Sequence, residues 1–284
     1  MEKLNQPVFH LNGCVTEEQQ QFFHKHGLIQ FKNFVSKETA QIFIEEIRNI
    51  QDYFLTKNIK TVNGIPLKFG TDMDGSPLIQ RMAFTSQYSE ALSKFVLSDK
   101  IKTLISFLEP YEGRISENEK DGLVINHFIN TENGTFSQMG WHTDSPRDIF
   151  LGSRILPMLN VGLHLDDCPM SNGGLRVLPG THNKGLVTLF FKKRYYTDKK
   201  ADPDERGLDI EAGDLTVHDG RIWHRVQQSP YIGEASRRRV MYIPVVTGKY
   251  RPKNSDSSMP IYHKLDKLLN FSGGLKKRNK KLKQ

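Results

Sequence analysis

The chain has 284 residues, of which 37% are hydrophobic and 25% charged, with 17 Phe; this is globular usage with ample material for one large core, and it excludes disorder for the bulk of the chain. No apolar run approaches the roughly 18 residues that a membrane helix needs, and the opening MEKLNQPVFHLNGCV lacks the apolar core and cleavage site of a secretory leader, so a cytoplasmic location is expected. Six of the eight net positive charges sit in the last nine residues, Lys276 to Gln284, which leaves +2 for the rest; the basicity belongs to a tail, expected to be disordered and to make at most weak contact with an anionic surface, and it does not describe a specific nucleic-acid site.

Along the chain, Thr16 with Gln19 forms a capping-box pattern that predicts a helix running to His26, and Gly27 is placed to end it. Leu28, Ile29, Phe31, Phe34 and Val35 read as a strand. Ser36 can cap a second helix, in which Ala40, Phe43, Ile44, Ile47 and Phe54 recur at helical spacing. Residues Asn58 to Gly75, rich in Gly, Asn, Asp and Lys, read as a long loop, and Leu92 to Leu108 reads as helix again.

From Gly122 the pattern changes to short β segments: Gly122 to Ile129, Pro157 to Leu165, Leu175 to Leu178, Asp214 to His218, Ile222 to Gln227 and Arg239 to Val246. Turn residues such as Asn172-Gly173-Gly174, Pro179-Gly180 and Asp219-Gly220 separate them, which indicates a closed barrel or jelly roll. A second charged loop spans Phe190 to Gly207. With no internal repeat or linker, residues 1–275 are expected to form one domain and 276–284 the basic tail. The two cysteines, Cys14 and Cys168, are too few for a disulfide framework and read as structural thiols.

The chemistry concentrates in the histidines. In an extended segment residues two apart point to the same face, so the string Trp141-His142-Thr143-Asp144 projects an imidazole and a carboxylate together. A second histidine from a distant strand would complete two His and one carboxylate on one face of an octahedral ion. Such a site suits non-heme Fe(II), because it leaves positions open for a cosubstrate and dioxygen. His218, directly before the Asp219-Gly220 turn, and His224, in the strand after it, are both candidates for that third ligand, and parity does not choose between them.

Four segments then resemble the phytanoyl-CoA dioxygenase (PhyH) family of Fe(II)/2-oxoglutarate oxygenases over nearly the whole chain. They are Phe23-His24-Lys25-His26-Gly27 leading into the first strand, Trp141 to Ser145, Asn172 to His182, and Gly213-Asp214 through His218 to His224. The resemblance implies a mainly β fold with α, a double-stranded β-helix (jelly roll) core carrying N-terminal helices. It implies metal ligands His142, Asp144 and His224, with His218 and His182 in structural or supporting positions. His127 and His164 fall in predicted strands and are expected to be satisfied core histidines.

The resemblance also implies an arginine beyond the distal histidine for the far carboxylate of 2-oxoglutarate, since a buried carboxylate requires a partner and the guanidinium fork can meet it with two hydrogen bonds. Within Ser236-Arg237-Arg238-Arg239-Val240 the alignment favours Arg238, and Asn126 resembles a strand asparagine that helps hold the same cosubstrate. The implied cofactors are Fe(II), 2-oxoglutarate and dioxygen, and the implied reaction is hydroxylation of a C–H bond of a small molecule with release of succinate and carbon dioxide. Asp144 is itself a ligand, which disfavours halogenation. The charged loops suit an anionic or zwitterionic substrate. The competing reading is a jelly roll that binds metal or 2-oxoglutarate without turnover.

Overall fold

The computed structural model describes residues 2–132, 139–145 and 155–260; the basic tail lies outside them. In chain order the elements are β1 (Glu2–Lys3), α1 (Glu17–His26), β2 (Leu28–Phe31), α2 (Lys37–Thr56), β3 (Thr61–Val62), β4 (Ile65–Pro66), β5 (Lys68–Thr71), β6 (Pro77–Met82), α3 (Glu90–Val96), α4 (Asp99–Lys102), β7 (Arg114–Ile115) and β8 (Val124–Phe128). There follow β9 (Met139–His142), β10 (Leu159–His164), β11 (Gly174–Val177), α5 (Gly185–Phe191), β12 (Arg206–Gly207), β13 (Leu215–Asp219), β14 (His224–Gln227) and β15 (Arg238–Val246).

Among the described residues these strands form a jelly roll. One sheet runs β1-β12-β11-β14-β9, and the facing sheet runs β2-β13-β10-β15-β8-β6-β5, with β7 paired to β15. Alternation along the central strands decides what each face does. Leu159, Val161 and Leu163 of β10, Leu215 and Val217 of β13, and Met241, Ile243 and Val245 of β15 join the main apolar core. That core also takes Ala40, Phe43, Ile44, Ile47, Ile50 and Phe54 of α2. The alternate residues, among them Asn160, His164, Thr216, His218, Arg238 and Tyr242, turn toward the space between the two sheets. The main hydrophobic core is thus outside the barrel, under the helices, while the barrel interior holds these polar groups beside a second apolar cluster that includes Leu28, in register with His218, and Val177, in register with His224.

The helix boundaries follow their caps. Thr16 and Gln19 make the reciprocal capping box, and Gly27 closes α1 in the left-handed region at φ 74°. Ser36 Oγ accepts the Thr39 N–H at the start of α2. The expected helix over 92–108 is broken instead into α3, α4 and a 3-10 segment, because Ser98 accepts the Ile101 N–H and restarts the helix. The expected loop over 58–75 carries three short strands. Asn63 and Gly64 both take positive φ between β3 and β4, the two-residue hairpin turn that an Asn-Gly pair favours, and β5 pairs with β6.

Candidate metal centre

His142 ends β9 and His224 begins β14, and the two residues face each other in the antiparallel register with ring centroids 4.1 Å apart. Each ring is fixed by the carbonyl two residues earlier: His142 Nδ1 contacts Gly140 O at 2.8 Å, and His224 Nδ1 contacts Ile222 O at 3.0 Å. A ring that donates from Nδ1 presents Nε2 as a free acceptor, the tautomer a metal requires. Asp144 lies beyond the strand end, where its N–H donates to Gly220 O at 2.7 Å.

The three side chains offer ligand atoms that all lie within 4.8 Å of one another. Asn160 donates its amide to Asp144 Oδ2 at 2.5 Å. Burial holds the His142 and His224 rings neutral, His224 at about 3. Burial alone would raise the Asp144 carboxyl, but the proximity of His224, His218 and His142 more than offsets it and the carboxyl lies below the usual carboxylate range. Two buried, neutral imidazoles and one partly exposed carboxylate, mutually close, are a donor set for a divalent first-row ion.

Each of these two histidines follows a buried tryptophan. Trp141 and Trp223, both fully buried, point to the opposite strand face and pack with Leu178 and Tyr195. Their indole N–H groups donate to Lys200 O and Thr188 O. The Tyr195 hydroxyl joins Thr143 Oγ1, between His142 and Asp144, to Leu189 O. Tyr196 stacks on the His142 ring at 5.0 Å, and its N–H donates to Trp141 O. The sequence reading missed this support, although the repeated Trp-His dipeptide at 141–142 and 223–224 was its visible signal.

The three consecutive arginines diverge. Arg237 pairs with Asp72 and Glu234 and donates to His127 Nε2, and Arg239 forms a two-bond pair with Asp166. Arg238 alone turns inward. It is buried, one nitrogen donates to Gln227 O at 3.2 Å, and its Nε has no partner among the described residues. No carboxylate among the described residues pairs with it. Gln227 is three residues along β14 from His224, about 10 Å at strand rise.

Between Arg238 and the ligand cluster the interior carries Tyr242, Thr216 and His218. His218 has both ring nitrogens buried without a partner among the described residues. His164 donates to or accepts from Thr216 Oγ1 at 3.0 Å, and His127 is satisfied by Arg237. Asn126, half-buried on β8, sits in register with Val240 of β15, and its amide makes no hydrogen bond among the described residues. His182 lies away from the cluster and ties to His24 O, against the close approach of Gly27. Arg225 turns to the outer face and forms a buried two-bond ion pair with Glu205.

The family model for phytanoyl-CoA dioxygenase (PhyH) matches residues 23–229. The chain belongs to the phytanoyl-CoA dioxygenase family. The match contains His142, Asp144 and His224, while Arg238 lies nine residues beyond its end. A phytanoyl-CoA dioxygenase domain-containing protein 1 homolog of Dictyostelium discoideum is 25% identical over 255 residues, 74% of this chain and 84% of that protein. Among solved structures, SnoN, a non-heme alpha ketoglutarate dependent epimerase from nogalamycin biosynthesis, superposes with TM-score 0.61 at 14% identity over 86% of this chain and 91% of its own. EvdO2 from Micromonospora carbonacea var. aurantiaca, complexed with 2-oxoglutarate, gives TM-score 0.57 at 15% identity over 89% and 98%. These likenesses bear out the jelly-roll fold.

Proposed function

We propose that this chain is an Fe(II)/2-oxoglutarate-dependent dioxygenase that hydroxylates a C–H bond of a small molecule. The observation that carries the reading is the pairing of two incomplete features in one interior. His142, Asp144 and His224 bring their ligand atoms within 4.8 Å of one another, and a buried Arg238 has no carboxylate partner among the described residues. A buried cation without a counter-ion is costly, so a ligand bearing a carboxylate would relieve it while reaching toward the metal donors. 2-Oxoglutarate has that form.

The chemistry supplied by Fe(II), 2-oxoglutarate and dioxygen at such a centre is oxidative decarboxylation to succinate and carbon dioxide, coupled to oxygenation of a substrate C–H bond. The residues of the chain bind and orient. His142 and His224 present Nε2, Asn160 holds Asp144 Oδ2 in place, and Arg238 meets the distal carboxylate with Asn126 on the adjoining strand. The buried Trp141 and Trp223 close the outer wall behind the ligands and keep water from that side.

The substrate proposed is an anionic or zwitterionic small molecule approaching beside the loop over 190–207, where Tyr196 covers His142. The unpaired cysteines, Cys14 and Cys168, suit a reducing cytoplasm. Because SnoN is an epimerase, the reaction outcome is tested at the product. Candidate metabolites incubated with Fe(II), 2-oxoglutarate and the protein are expected to give products heavier by one oxygen; a product of unchanged mass but inverted configuration would replace hydroxylation with epimerisation.

A further inference from the structure

Helix α5 is apolar where a surface helix should be polar. Leu186, Val187, Phe190 and Phe191 follow the i, i+1, i+4, i+5 spacing, an arc of about 140° on a helix of 3.6 residues per turn. Leu189 is buried on the opposite side, against the structure beneath. The four-residue arc points outward: Leu186 is 64% exposed, Val187 75% and Phe191 80%. Phe190 is half-buried, its ring edge to face with Phe191.

The chain flanking this face is basic. From Asn183 to Thr197 the chain has Lys184, Lys192, Lys193 and Arg194 and no acidic residue. Lys193 is engaged by Asp202 at 2.6 Å. Lys184, Lys192 and Arg194 make no ion pair among the described residues, and all three are exposed. An outward apolar arc flanked by exposed cations that have no ion pair among the described residues matches a layer that offers anionic headgroups over hydrocarbon. A soluble protein partner would have to supply both features in the same geometry.

We propose that α5 and its flanking cations form a docking element for an anionic phospholipid surface, with Leu186, Val187 and Phe191 entering the headgroup boundary. The element is joined to the metal centre. Thr188 O accepts the Trp223 indole N–H, and Leu189 O accepts the Tyr195 hydroxyl that also contacts Thr143. Docking therefore presents the Tyr196 side of the centre toward the lipid. The inference rests on exposure and charge and stands apart from the proposed reaction.

The test is co-sedimentation of the full chain with phosphatidylcholine vesicles, with and without phosphatidylglycerol. Association is expected with the anionic vesicles only, weakened at least tenfold by Leu186→Ser/Val187→Ser/Phe191→Ser and also lowered by Lys192→Glu/Arg194→Glu. It should persist when Lys276 to Gln284 is deleted. The proposal is overturned if the full chain ignores anionic vesicles, if the triple variant binds equally well, or if deleting the tail alone abolishes binding. A triple variant that melts several degrees lower would show that the chain itself covers the face, and one that converts a dimer to a monomer would assign the face to a second copy. Either result overturns the proposal.

Discussion

His218 and Asp144 face each other at 3.8 Å, beyond hydrogen-bond reach, and both ring nitrogens of His218 are buried without a partner among the described residues. His218 stands beside the three converging donors without joining them. Groups one step outside a metal's ligand set typically change its affinity 10–100-fold, whereas removal of a ligand removes the site. His218→Ala is therefore expected to keep stoichiometric metal with an affinity reduced about tenfold, and His224→Ala to lose it. Metal content after equilibration with Fe(II) under anaerobic conditions measures both. Loss of metal in His218→Ala with retention in His224→Ala would exchange their roles.

Arg238 gives a prediction with two signs. Losing the partner of a buried carboxylate costs on the order of 3–5 kcal/mol, so Arg238→Ala should weaken 2-oxoglutarate binding by at least about a hundredfold. Arg237→Ala and Arg239→Ala, which break pairs with Asp72, Glu234 and Asp166 outside the interior, should change it by only a few-fold. Without 2-oxoglutarate, Arg238→Met should melt at or above the temperature of the unaltered chain, because it removes a buried cation that has no carboxylate partner among the described residues. Calorimetric titration and thermal denaturation check the two halves separately.

Gly140 tests the support of His142 from behind. A Cβ there would collide with the backbone carbonyls of Tyr196 and Asp198, the segment that hydrogen-bonds to Trp141. Overpacking of this kind costs roughly 1–3 kcal/mol. Gly140→Ala should thus fold with a lowered melting temperature and weakened metal binding, since Gly140 O also orients the His142 ring. Unchanged metal affinity would show that the segment is indifferent to the centre.

Acid sensitivity follows from His164. Burial lowers its pKa from 6.5 to about 3, so the unfolded chain binds the proton more readily. Stability is then unaffected above pH 6.5 and falls as the pH drops from 6.5 toward 3, by roughly 1.4 kcal/mol per pH unit for one such histidine. Urea denaturation at pH 7, 6 and 5 should show that decline, and His164→Gln should flatten it by about one proton's worth. An identical slope in the variant would remove His164 as a source.

The legible parts of this molecule are those set by local periodicity and local capping. Thr16, Gly27 and Ser36 bound their helices, and the alternation in Leu159 to His164 separates core from interior within one strand. The polar composition of residues 58–75 hid the Asn63-Gly64 hairpin and the β5-β6 pairing, and Ser98 broke a helix that hydrophobic spacing alone would continue. At the site, His142 and Asp144 were visible because they are neighbours. Asn160, Tyr195 and Gly220 were not, because each acts on that pair across a sequence gap that only the fold closes.

The central claim is that the three converging donors and Arg238 support turnover and not storage of a ligand. Succinate formation from 2-oxoglutarate by the Fe(II)-loaded protein, measured with and without dioxygen and beside Asp144→Ala, tests it most directly. Succinate should accumulate only with dioxygen, slowly even without substrate, and at least about a hundredfold less in Asp144→Ala. A protein that binds 2-oxoglutarate tightly yet forms no succinate in oxygen, or an Asp144→Ala variant as active as the unaltered chain, would contradict it.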